Sequence, residues 1–118
     1  MNPAMIVQAE KTIRSYLHET PLEFSPALTT DTCNVYLKLE NYQHTGSFKV
    51  RGAFNKLLSL GDEEKAKGIV TASTGNHGAA VAYALKTLNH QGVIFVPETA
   101  SKAKIAKIQR LGSEVRYY

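Results

Sequence analysis

The sequence predicts an α/β fold, an open and doubly wound parallel sheet with flanking helices, and three observations carry that expectation. Short strand patterns at Gly68–Thr71 and Gly92–Val96, with a third beginning at Glu114–Tyr118, alternate with helical patterns at His77–Leu88 and Ser101–Leu111, the rhythm of βαβ units. Turns rich in Gly, Ser and Asn stand where strands hand over to helices. The composition, 43% hydrophobic and 20% charged over 118 residues, is enough for one modest core and is not that of a disordered chain.

The elements follow in order. Asn2 can cap and Pro3 is tolerated in the first turn of a helix in which Ala4, Met5, Ala9, Ile13, Tyr16 and Leu17 recur at helical spacing. Glu19–Asp31, with Pro21 and Pro26, is a loop with one brief extended piece at Leu22–Phe24. Asn34–Leu39 alternates apolar and polar residues as a strand does. Ser47 is placed to cap a helix over Phe48–Leu60 that buries Phe48, Ala53, Phe54, Leu57 and Leu58, and Gly61 ends it. Asp62–Lys67 is one more turn with its acids first and bases last. Gly68–Thr71 is a short buried strand, Ala72–Asn76 a loop, and the strands and helices named above complete the chain.

Several function classes are excluded or disfavoured. The net charge of +4 is spread along the chain, and the basic stretch Ser101–Arg110 interleaves with apolar residues as the solvated face of an amphipathic helix, so no nucleic-acid partner is expected. No run approaches the roughly 18 apolar residues of a membrane span. The single Cys33 cannot pair within the chain and reads as a small apolar filler; with no secretory leader pattern, a reducing, cytoplasmic setting is expected. His18, His44 and His90 share no metal-ligand spacing, so no metal is expected. Arg51 and Lys56 read as outer-face residues of their helix.

Two segments carry chemistry. In Thr45–Ala53 a turn and a capping serine lead into a helix whose first turn holds Lys49. A helix N-terminus is partially positive, so a cation there is disfavoured unless something anionic or covalent compensates, and a neutral, nucleophilic amine is favoured. On the residues alone, a reactive Lys49 and a solvent-exposed lysine tolerated at modest cost both stand. In Ala72–Ala79 a turn of small residues leaves the N–H groups of Thr74, Gly75, Asn76 and His77 free for an anion, a carboxylate as readily as a phosphate. A tight turn in which Asn76 merely caps the helix is the other reading.

The pair Ser47–Phe48–Lys49–Val50–Arg51–Gly52–Ala53 and Ser73–Thr74–Gly75–Asn76–His77–Gly78 resembles the two N-terminal signatures of the fold-type II pyridoxal-phosphate enzymes, the tryptophan synthase β-like fold. The match is nearest to threonine/serine dehydratases and serine racemase, and covers the chain from about Thr20 onward. The resemblance implies pyridoxal 5'-phosphate carried by Lys49, which would also shuttle the proton at the substrate α-carbon. It places Phe48 beside the cofactor ring and Asn76 on the cofactor hydroxyl. Ser73, Thr74, Gly75, Asn76 and His77 would hold the carboxylate of an amino-acid substrate, and His77 is expected to be structural rather than an acid or base. The implied reaction is deamination of L-threonine or L-serine by β-elimination. A serine/aspartate-type racemase and a 3-hydroxyaspartate dehydratase are the alternatives within the fold; Thr74, whose hydroxyl would be the second acid/base, bears on racemisation.

The resemblance also implies that residues 1–118 are the N-terminal part of such an enzyme, including most of its small domain, with the remainder absent. The family's glycine-rich phosphate-binding loop is not in this chain, so the chain alone is expected to be inactive. A sheet edge ending at Tyr118 is expected to favour a homo-oligomer. The reading from another class is a catalytically inactive fragment acting as an interaction module.

Overall fold

A computed structural model describes residues 2–73 and 75–118. Helix α1 runs over Pro3–Ile13, with the Asn2 Oδ1 accepting from the Ala4 N–H at 3.0 Å and Pro3 at its start, and a 3₁₀ turn, Arg14–Tyr16, follows. Strands β1 (Leu22–Phe24) and β2 (Tyr36–Lys38) pair antiparallel, and a second 3₁₀ turn covers Glu40–Tyr42. Helices α2 (Lys49–Ser59) and α3 (Asp62–Ala66) come next. Then strand and helix alternate: β3 (Ile69–Ala72), α4 (Asn76–Thr87), β4 (Gly92–Val96), α5 (Lys102–Arg110) and β5 (Glu114–Tyr117).

Strands β3, β4 and β5 form a parallel sheet in chain order, with Ile69 opposite Gly92 and Val93 opposite Glu114. The expected open parallel sheet with flanking helices is present, and among the described residues the two helices that cross between its strands, α4 and α5, pack on one side. Right-handed crossovers between strands added in one direction put their helices on one side. Accordingly Ile94, Val96 and Val115 pack with Ala82 of α4 and Ile105 and Ile108 of α5. The opposite face carries Val70, which is 67% exposed, with Val93 and Phe95 half-buried. The expectation that Gly68–Thr71 forms a buried strand is therefore corrected: Ile69 and Thr71 are half-buried, while Val70 and Ala72 are exposed.

A second core joins α1, α2 and α4 through Ile13, Val50, Phe54, Leu57, Ala80, Ala84 and Leu85. The small residues of α4 let it lie between α2 and the sheet. At Gly78 the approach is close, since a Cβ there would sit 3.1 Å from Ile108 Cδ1 and 3.3 Å from Ile94 Cγ2, and at Gly92 of β4 a Cβ would sit 2.6 Å from Leu85 Cδ1 of α4. Phe48 does not join the α2 core; it is 58% exposed. Cys33 is exposed rather than a core filler, because the loop around it lies outside both cores.

Candidate functional site

Lys49 is the first residue of α2, and the helix has no acidic residue in its first turn. It is exposed, its Nζ lies 5.0 Å from the centroid of the Phe48 ring, and no carboxylate pairs with it among the described residues. The ring's negative face partly offsets the unfavourable helix-end potential. The N-cap is Phe48, and Ser47, expected to cap, makes no such bond.

The stretch leading to Lys49 is fixed by residues far away in sequence. Gln43, 4% exposed, bonds both backbone groups of His18: its Oε1 accepts from the His18 N–H at 3.2 Å, and its Nε2 donates to the His18 carbonyl at 2.6 Å. Gly46 turns the chain at φ 75°, a conformation that only glycine adopts freely. Lys107 of α5 donates to the Thr45 carbonyl at 3.0 Å. Arg51 is corrected from an outer-face residue: it forks onto Glu40 at 2.8 and 2.7 Å, while the Thr20 hydroxyl donates to the same carboxylate at 2.6 Å. These bonds, led by that from Arg51, hold the Glu40 carboxyl below its ordinary pKa, against the opposing effect of burial.

Aromatic rings continue the brace. His18 and His44 lie 3.6 Å apart between centroids, His44 stacks on Tyr83 at 4.9 Å, and Tyr83 meets Phe54 edge-on at 6.0 Å. Burial, then the neighbouring His18, pushes the His44 pKa down. Tyr42's carbonyl, 3.2 Å from His18 Nδ1, can only accept, which assigns the hydrogen to that nitrogen.

The second turn is fixed locally. Ser73 Oγ accepts from the N–H groups of Gly75 at 3.2 Å and Gly78 at 2.9 Å. Two expectations are thereby corrected: the Gly75 N–H is not free for an anion, and Asn76 does not cap α4 but is its first residue, after Gly75. The N–H groups of Asn76 and His77 have no partner among the described residues, so they remain available to an anion. His77 Nε2 lies 3.1 Å from the Thr71 hydroxyl of β3, which fits a structural role. Thr74 lies outside the described residues.

Helix α5 draws the two turns together. Lys107 holds the Thr45 carbonyl, and Lys104, one turn earlier, has its Nζ 3.9 Å from the Cβ position of Gly75. The turn before Lys49 and the turn before α4 thus flank one stretch of α5. Neither lysine was expected at the site; the basic stretch is only partly a solvated face. Glu40, Arg51 and Gln43 were also missed, and a Glu, Gln or Arg carries no local pattern that announces a partner 11 to 25 residues away. An exposed amine at a helix start without an acid partner among the described residues, and the Asn76 and His77 amides, likewise without a partner among them, are groups that fit a pyridoxal-phosphate group and an amino acid bound to it.

Among the described residues no helix is long and apolar enough to cross a membrane, and no group of three metal-ligating side chains occurs. Among known proteins the chain is 42% identical over 111 residues to L-threonine ammonia-lyase of Thermotoga maritima, covering 93% of this chain and 28% of that one. Serine racemase from Dictyostelium discoideum superimposes with a TM-score of 0.87 at 42% identity, over 95% of this chain and 37% of that one. The processed form of threonine deaminase isoform 2 from Solanum lycopersicum does so at 0.80 and 37% identity, over 100% and 36%. The chain spans roughly a third of the length of these relatives. The family model of the pyridoxal-phosphate dependent enzymes matches residues 13–118. This chain belongs to the pyridoxal-phosphate dependent enzyme family, whose cofactor is pyridoxal 5'-phosphate.

Proposed function

We propose that this chain is the N-terminal part of an ammonia-lyase, including most of its small domain, that deaminates L-threonine or L-serine to a 2-oxo acid and ammonia. The observation that carries the reading is Lys49, an amine at the start of α2 with no acid partner among the described residues, in a stretch braced by Gln43, Lys107 and the Arg51–Glu40 pair. Relatives described as threonine ammonia-lyase and threonine deaminase support the substrate class.

When bound, the cofactor supplies an electron sink for the bond broken at the substrate α-carbon. Lys49 holds the cofactor as a nucleophilic amine and then moves the α-proton as a base. The amides of Asn76 and His77, at the positive end of α4, bind the substrate carboxylate, with Ser73 keeping the turn in shape. Asn76 would hold the cofactor hydroxyl, and Phe48, whose ring is exposed beside Lys49, would pack against the cofactor. A complete enzyme of this kind is proposed to be a cytoplasmic homo-oligomer, in keeping with the unpaired cysteine and the bare sheet face. Turnover is assigned to the complete enzyme and cofactor attachment to this chain.

The test is borohydride reduction of the purified chain with added pyridoxal phosphate, followed by peptide mass analysis. Label at Lys49, absent from Lys49→Ala, is expected; label spread over several surface lysines, or none, would sink the reading. The likeness to serine racemase favours a second reading, racemisation, for which Thr74 is the proposed second acid/base. Loss of stereochemical inversion in full-length enzyme carrying Thr74→Ala, with deamination kept, would separate the two.

A further inference from the structure

Lys107 stands on α5, whose buried Ile105 and Ile108 belong to the sheet core, whereas Val50, Phe54 and Leu57 of α2 belong to the other core. Its side chain crosses between them: Nζ donates to the Thr45 carbonyl at 3.0 Å, and no carboxylate pairs with it among the described residues. Ordering a lysine side chain costs rotamer entropy, and a lysine on a helix surface otherwise keeps its ammonium in water. A bond from an ammonium to a carbonyl is stronger than one between neutral groups, which offsets that cost.

The carbonyl it holds steers the chain toward Lys49. The Gly46 N–H donates to the Gln43 carbonyl at 2.7 Å, so the peptide unit between Thr45 and Gly46 is held at both polar ends, its N–H by Gln43 and its C=O by Lys107. Gly46, at φ 75°, is the next joint, and a glycine opposes rotation less than any other residue. Lys49 follows three residues later. The Arg51–Glu40 pair holds α2 after Lys49, and the Lys107 bond fixes the approach before it. The same α5 packs beside Ala82 of α4 and brings Lys104 to Gly75, so one helix is the reference for both turns of the site.

We infer that Lys107 is a positioning residue for Lys49: by holding the Thr45 carbonyl it sets how the chain enters α2, and so registers the amine against the carboxylate-binding amides of α4. The inference rests on the function proposed above and deepens it, since it names a residue that acts on the reaction through Lys49 without touching the cofactor.

The experiment uses the whole chain as wild type, Lys107→Met, Lys107→Arg, Arg110→Met and Lys49→Ala, well below the unfolding temperature. Pyridoxal phosphate is titrated by absorbance, attachment at Lys49 is fixed by borohydride and counted by peptide mass analysis, and circular dichroism of the cofactor band is divided by the amount bound. Lys107→Met keeps the stem and loses the donor. It is expected to weaken attachment at Lys49 about tenfold, as the loss of one hydrogen bond does, and to lower the dichroism per bound cofactor. Lys107→Arg, which keeps a charged donor, is expected to restore both. Arg110→Met removes a cation from the same helix, one whose guanidinium bonds the Ala106 carbonyl, and is expected to match wild type. A lysine that only stabilises the fold would lower the cofactor-free thermal midpoint of Lys107→Met by a few degrees and leave affinity and dichroism at wild-type values, which would overturn the inference. An equal loss in Arg110→Met would trace the effect to net charge and overturn it too. If Lys107→Met does not fold, Lys107→Gln carries the same comparison. Wild type binding better than Lys49→Ala, with Lys107→Met equal to wild type, sinks this inference alone; if wild type binds no better than Lys49→Ala, the proposed function fails with it.

Discussion

The two turns of the site are built by opposite means. The stretch from Gln43 to Lys49 is held by the Gln43 side chain, which bonds the backbone of His18 25 residues before, and by the Lys107 side chain, which reaches Thr45 from 62 residues after. The turn from Ser73 to Gly78 is held by one serine hydroxyl that serves amides two and five residues ahead. The first shape depends on the whole fold being in place, whereas the second is specified by a handful of neighbours. An amine that must be aimed at a reacting atom gains from the first arrangement. A set of backbone amides that needs only to converge on a carboxylate can be supplied by the second.

Breaking each turn at its centre sharpens the contrast. Glu40→Ala removes three bonds and leaves Arg51 without its acid, so a loss of about 2–3 kcal/mol in denaturant unfolding is expected. That is less than for a fully buried pair, because Arg51 is 34% exposed. The damage should spread, lowering hydrogen-exchange protection around Thr20, Glu40 and α2 together. Since the folded Glu40 pKa lies below its ordinary 4.5, this carboxylate adds stability fully above that pH, and the contribution is lost as pH falls through the lower folded value. Glu40→Gln should therefore flatten the acid limb of the stability profile. Ser73→Ala should cost less, about 1 kcal/mol as for a lost cap, with exchange faster only in the first turn of α4. If Ser73→Ala loosened the Lys49 stretch as strongly as Glu40→Ala, the distinction between a globally and a locally built turn would be wrong.

The same division governs what could be read in the sequence. Strand β4 falls on the apolar run Gly92–Val96 to the residue, and the helices α2, α4 and α5 lie within one or two residues of their periodic patterns, because local propensity and burial agree there. The position of Lys49 at a helix start was legible for the same reason. What was not legible depends on partners distant in the chain. Arg51 looks like any polar residue of an amphipathic helix until Glu40 is placed beside it. Ser47 and Asn76 both looked like helix caps, yet Phe48 and Gly75 occupy the cap positions and Ser73 takes up the amides. The one-sided sheet followed from strand order, which periodicity does not fix. Met5 of α1 is 67% exposed although it stands at helical spacing from Ala9 and Ile13, since spacing names a face but not what covers it.

The smallest effect expected is a pH dependence confined to the braced stretch. His44 is pressed between His18 and Tyr83, and burial followed by the His18 charge lowers its folded pKa from 6.5. A histidine with a lowered folded pKa is protonated more readily in the unfolded chain. Its environment therefore favours folding above about pH 6.5, and that advantage is lost as pH falls toward the folded value. Thermal midpoints should drop between about pH 7.5 and 5.5 for this reason among others. His44→Phe removes the titration while keeping a ring against Tyr83, so the drop should shrink by a measurable part, with Glu40 still ionised over that range. Because Gln43 ties His18 to the same stretch, the wild-type loss should appear first as faster exchange at Tyr42 to Gly46. An equal pH response in wild type and His44→Phe would place the sensitivity elsewhere and mark the histidine pair as packing alone.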